Sequence, residues 1–184
     1  MLSNRRRLIV KTAVLTLLAA GAAAGAAGLA VLYGGWYNIG ATAQHFPIVY
    51  TVLEEGMMYS VRHHAQDIRV PRLGGEQQLR LGAQVYRDKC VQCHGAPGVA
   101  QSTIGMSMQP IPGPLVDASQ RWEARELYWI TKHGIKMSGM PAWEYHLRED
   151  EIWAVAAFVT RLPAMSAQDY RARMAQVAMQ EAPQ

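Results

Sequence analysis

Two thiols and an imidazole lie within five residues, Cys90-Val91-Gln92-Cys93-His94, and the chemistry open to that group is narrow. The spacing is that of a c-type haem attachment: each thiol can add across a porphyrin vinyl group to give a thioether, and the adjoining imidazole can meet the iron. The protein's share of such a site is attachment, ligation and tuning. Both cysteines of the chain fall inside the motif, so none is left for a disulfide or for a second Cys pair around zinc. A thioredoxin-like Cys-x-x-Cys pair would need a strand-turn-helix setting and would leave His94 without a role. A zinc site built on Cys90, Cys93 and His94 would ask neighbours in sequence to reach one tetrahedral ion.

The elements needed to hold such a site are helices and one long loop. Residues Glu76 to Lys89 carry Leu79, Gly82, Ala83 and Tyr86 on one face, with an acid at the start and bases in the last turn, which suits the helix dipole. This predicted helix delivers Cys90. Gly95 to Leu115 holds Pro97, Pro110, Pro112 and Pro114, so the segment is expected to wrap the cofactor as an irregular loop. A helical pattern returns over Glu123 to Lys132 and stops at Gly134. A last helix is expected from about Arg148 to Leu162, with Glu149, Asp150 and Glu151 in its first turn and Pro163 after it. No segment reads as a strand, and the fold class is all-α.

Over residues 76–163 the chain resembles a class I cytochrome c, with Cys90-x-x-Cys93-His94, Gly82 and Tyr86 upstream, and Gly139-Met140-Pro141 downstream. The resemblance implies that Gly82 and Tyr86 pack where the first helix crosses the last, against Phe158 and Val155. It implies that the Gly113-Pro114-Leu115 turn offers the Pro114 carbonyl to the second nitrogen of His94. The gap from His94 to Pro114 is longer than in compact relatives, so Pro110 and Pro112 are alternatives. It also implies that Met140 is the sixth ligand, a thioether that favours ferrous iron and raises the potential. Met137, Met106 and Met108 are nearby substitutes, the last two more naturally gap-fillers against the porphyrin. His45, His63, His64, His133 and His146 read as surface or capping residues rather than ligands. Trp129, Trp143 and Trp153 read as walls of the pocket or core.

The formal net charge of +4 and pI of 9.2 raise the question of nucleic acid. The excess lies in Arg5, Arg6, Arg7 and Lys11, and from Trp36 onward acids and bases balance. Nucleic-acid binding is therefore unsupported. Those four cations precede an uncharged run from Thr12 to Tyr33, about 33 Å at the helical rise and enough to cross a bilayer. The basic flank predicts a cytoplasmic start and a haem domain on the periplasmic face of a bacterial inner membrane. Tyr33, Trp36 and Tyr37 would form the outer aromatic belt, and Gly21, Gly25 and Gly28 flatten one helix face. A cleaved signal peptide is the competing reading, but its apolar core is typically about 7–15 residues long.

The expected organisation is a basic tip and anchor over residues 1–34, a juxtamembrane helical linker over 35–75, a cytochrome c domain over 76–163 and a helical tail over 164–184. In the linker, Val49, Leu53, Met57 and Val61 form one apolar stripe ending near His63-His64, suited either to a membrane partner or interface, or to the haem domain itself. In the tail, Ser166-Ala167-Gln168-Asp169 reads as a capped helix start, and Glu181 to Gln184 as a fraying end. The functional expectation is one covalent haem c held by Cys90, Cys93, His94, Met140 and Pro114. It would pass single electrons between membrane or periplasmic redox proteins: a quinol-oxidising complex, a terminal oxidase or a dehydrogenase. The chain itself is then a carrier rather than an enzyme. The alternative is a haem enzyme or gas sensor with an open or displaceable distal site, which the Met140-Pro141 pair argues against.

Overall fold

The structure is a computed structural model that describes residues 4–181 and divides after Ala43 into two compact units. In the first, α1 runs from Asn4 to Tyr33, thirty residues that take in the basic cluster as well as the uncharged run. Its apolar side chains, among them Leu8, Val14, Leu17, Leu29 and Leu32, are exposed, so α1 buries no stripe of its own. The helix is long and apolar enough to cross a membrane. Gly21, Gly25 and Gly28 meet nothing across the space a side chain would take.

The second unit is helical, and no strand forms among the described residues. Helix α2, Pro47–Ala65, opens on a proline whose missing N–H costs nothing in a first turn. Its last turns bury Val61 and Ala65. Helix α3, Glu76–Val85, passes through a wider π-type stretch at Tyr86–Cys90 into the short turn Val91–His94. Such a widening re-aims side chains and is commonly found at functional sites. Short helical turns at Thr103–Met106 and Ala118–Arg121 interrupt the loop that follows.

Helix α4, Ala124–His133, starts where the Glu126 carboxylate accepts the Glu123 backbone N–H at 2.8 Å, which accounts for the burial of that acid. Helix α5, Glu149–Val159, repeats the device with Glu151 on the Arg148 N–H at 2.8 Å, and its three first-turn acids oppose the positive end of the dipole. Helix α6, Ala167–Glu181, begins with Ser166 and Asp169 capping one another, the Asp169 N–H reaching Ser166 Oγ at 3.1 Å and the Ser166 N–H reaching Asp169 Oδ2 at 3.0 Å. Of the frayed end expected over Glu181 to Gln184, Glu181 is the last residue of α6 and 182–184 lie outside the described residues.

Packing centres on the crossing of α3 and α5. A Cβ on Gly82 would stand 2.0 Å from the Ala154 carbonyl oxygen and 2.8 Å from Phe158 Cβ, so only glycine lets the two backbones meet. Tyr86, Phe158, Ile152 and Leu162 are completely enclosed around this point. The sequence expectation paired Gly82 with Phe158 and Val155; Ala154 is the residue that faces Gly82, and Val155 turns to the cavity wall instead. One position along a helix rotates a side chain by about 100°, which separates the two roles.

Two segments outside residues 76–163 join this unit. Helix α2 packs on α4: the His64 ring stacks on Trp129 at 5.7 Å and 9°, and Arg125 Nη1 donates to the Gln66 carbonyl at 3.0 Å. Helix α6 covers α3, burying Tyr170 and Val177, with Arg173 paired to Glu76 and Arg80 donating to Gln180 at 3.1 Å. The linker expected over 35–75 thus divides at Ala43, and its helical part is continuous with the domain it was expected to tether.

Candidate haem site

A cavity of about 950 Å³ opens between the loop after His94, α4, α5 and α2. Cys90, Cys93 and His94 reach it from the end of α3, and Met140 and Trp143 reach it from the segment after α4. Its walls are largely apolar, with Leu127 and Ile130 from α4 and Val155, Ala156 and Val159 from α5. An apolar cleft of this size with a few convergent ligating groups suits a bulky planar cofactor.

The first turn of the site is tied down on both sides. Tyr86 Oη donates to the Gly95 carbonyl, and Gln101 Nε2 donates to the Cys93 carbonyl at 2.9 Å and to the Pro112 carbonyl. Gln101 thereby staples the thiol-bearing turn to the proline-rich loop. Neither bond was legible in the sequence, where nothing marks Gln101 among polar loop residues.

His94 Nδ1 lies 2.8 Å from the Gly113 carbonyl oxygen. A carbonyl only accepts, so Nδ1 carries the proton and Nε2 is left with its lone pair free for a metal. Burial, opposed in part by this hydrogen bond, holds the imidazole below its usual pKa and so favours the neutral form a metal ligand requires. The acceptor was expected at Pro114, with Pro110 or Pro112 as substitutes. The structure uses the peptide oxygen immediately before Pro114, while Pro110, Pro112 and Pro114 themselves line the cavity. Proline following Gly113 restricts that peptide's orientation, which aims the Gly113 oxygen rather than the next one.

The two thiols differ in setting: Cys90 is buried and Cys93 half-buried. Burial, with a smaller contribution from Cys93, pushes the Cys90 thiol up to about 12. That is a pocket for uncharged sulfur, the charge state a thioether keeps. Among the described residues, no three His, Cys, Asp or Glu side chains gather as a metal cage would need.

Met140 is presented by a tight loop. Gly134 ends α4 at φ +67°, and a side chain there would strike the Met140 carbonyl oxygen at 2.7 Å, so glycine is required on both counts. The Ile135 N–H donates to the Met140 carbonyl at 3.2 Å. Ser138 Oγ donates to the Ile135 carbonyl at 2.7 Å and accepts the Met140 N–H at 3.1 Å. Met108 also lines the cavity and packs against Gly139, whereas Met106 is exposed and stands outside it. Met137 lies at the rim, largely exposed.

Among the histidines, His45 lies on the cavity wall, although the sequence placed it outside the domain. His133 approaches Glu144 at 3.4 Å, His146 stands edge-on to Trp143, and His63 stands edge-on to His64. Of the tryptophans, Trp143 lines the cavity, Trp153 stacks on Tyr128 at 4.0 Å, and Trp129 stacks on His64.

A helical domain closed by the crossing at Gly82, around a cavity that a Cys-x-x-Cys-His turn enters, is a c-type cytochrome domain. Residues 77–159 match the family model described as cytochrome c oxidase, cbb3-type, subunit III, just under half of the chain. No curated protein and no solved structure matches the chain. A cytochrome c domain carries covalently attached haem, and its work is electron transfer.

Proposed function

We propose that the protein is a membrane-anchored, single-haem electron carrier. Cys90 and Cys93 would hold the porphyrin through thioether bonds, and His94 Nε2 and the Met140 sulfur would hold the iron. Bound there, the haem iron supplies one-electron chemistry between its ferrous and ferric states. The observation that carries this reading is the His94–Gly113 bond within the cavity that Met140 also lines: it fixes Nδ1 as the protonated nitrogen, so that in the neutral ring the Nε2 lone pair is available. Gly113 and Gln101 orient the proximal side, and Ser138 and Gly134 hold the Met140 loop. With His94 and Met140 both turned to the group, this chain would leave no position open to a substrate.

In this reading α1 stays in the bilayer. The basic cluster from Arg5 to Lys11 lies on the cytoplasmic side, and the haem unit faces the periplasm of a bacterial inner membrane. Its redox partners are respiratory proteins of that membrane or periplasm. The matched family model is named for an oxidase subunit, which favours a terminal oxidase among them; a quinol-oxidising complex and a dehydrogenase are the other classes.

Gentle detergent extraction of membranes carrying the tagged chain, a native gel stained for covalent haem and sequencing of the stained band test this. The expected result is one haem per chain in the membrane fraction. Its migration within a large assembly identifies a complex subunit, and migration alone identifies a free shuttle. Absence of covalent haem would overturn the proposal, and strong carbon monoxide binding to the reduced protein would favour an open distal site.

A further inference from the structure

Helix α2 lies outside the matched residues 77–159, yet Tyr50, Leu53 and Met57 line the same cavity as Cys90, His94 and Met140. We infer that α2 is a wall of the haem pocket and that Leu53 and Met57 are positioning residues that raise the haem's potential by keeping water from it. This rests on the haem reading above.

Helical geometry supports the assignment. At about 100° per residue, Tyr50, Leu53, Glu54, Met57, Val61, His64 and Ala65 share one face of α2. The first half of that face looks into the cavity, and the second half is packed on α4, where Val61 and Ala65 are almost fully buried and His64 stacks on Trp129. Ile48, Val52 and Tyr59 lie on the opposite face and are 75%, 64% and 68% exposed. The helix is therefore fixed by its C-terminal half and by the Glu54–Arg121 ion pair at 2.9 Å, so that its N-terminal half projects over the cavity as a rigid piece.

The electrostatic consequence has a definite sign. Ferric haem carries one more positive charge than ferrous haem, and an apolar wall in place of water penalises the more charged state. Polar residues at positions 53 and 57 admit water and relieve that penalty, so the potential falls. Polar residues at positions 52 and 59, on the same helix but facing away, leave it unchanged.

The test is a redox titration of the purified full-length holoprotein carrying Leu53→Ser with Met57→Ser, beside one carrying Val52→Ser with Tyr59→Ser. Covalent haem content is measured in both and in the unaltered chain. A downward shift confined to the first pair supports the inference. An unmoved potential at full haem content, or an equal shift in both pairs, overturns it while leaving the haem reading intact. Absence of covalent haem from the unaltered chain overturns the haem reading, and this inference with it. Should the first pair fail to accumulate, Leu53→Ala alone gives a smaller shift of the same sign; no shift from it overturns the inference.

Discussion

Tyr86 Oη donates to the Gly95 carbonyl oxygen over 2.6 Å, joining the residue four positions before Cys90 to the one directly after His94. The bond brackets the Cys-x-x-Cys-His turn from both ends inside a fully buried environment, with the Tyr86 ring 5.5 Å from Phe158 and edge-on to Tyr170. Burial also drives the phenol pKa far above its ordinary value, so the hydroxyl remains a donor at any physiological pH. Tyr86→Phe keeps the ring and strands the carbonyl, which should cost about 1–3 kcal/mol. Denaturant unfolding of the holoprotein measures it, and a loss below a few tenths would mean that water replaces the hydroxyl.

The Gly82 crossing predicts a larger effect. An alanine methyl would stand 2.0 Å from the Ala154 carbonyl, and the obstacle is backbone rather than a side chain that could swing aside. Forcing two helices apart in a packed core costs about 1–3 kcal/mol or more, with the upper end expected here. Gly82→Ala should lower the yield of folded holoprotein and its unfolding midpoint together. An unchanged midpoint would show that α3 and α5 can separate freely.

Distal ligation gives a spectroscopic prediction. Met140→Ala should leave covalent haem in place, lower the potential and let carbon monoxide bind the reduced form. Ser138→Ala, which removes the hydroxyl between Ile135 and Met140, should give a milder version, losing about 1 kcal/mol of loop stability. A Met140→Ala protein with its potential and carbon monoxide response unaltered would remove Met140 from the iron.

Acid should loosen α6. The hydrogen bond and charge of Arg173 hold the Glu76 carboxyl below its ordinary value of 4.5, and the Ser166 cap holds Asp169 below 3.8. Both pKa values are depressed on folding, so their contribution is complete above the ordinary carboxylate range and is lost as pH falls through the lower folded values. Hydrogen exchange in α6 should quicken from about pH 4 downward, and Arg173→Gln should flatten that dependence without abolishing it, because Asp169 remains. An identical acid profile in the variant would mean the Glu76–Arg173 pair contributes nothing.

The sequence alone determined the chemistry and most of the helices, because both are local. Cys90, Cys93 and His94 sit within one turn, and their spacing is that of a c-type haem attachment. Helix limits followed from nearby signals: Gly134 behind α4, Glu149, Asp150 and Glu151 in the first turn of α5, Ser166 and Asp169 ahead of α6. What only the tertiary structure decided depends on contacts between distant residues. Gly113 rather than Pro114 accepts from His94 because the path of a nineteen-residue loop selects the oxygen that arrives. Gln101 and Ser138 matter through bonds that no spacing rule marks. The apolar stripe of α2 fitted a partner, a membrane surface or its own domain equally well, since periodicity says that a face is buried without saying against what. The packing of Val61 and Ala65 in one unit with α4, and of Leu53 and Met57 on the cavity, settled where that face goes.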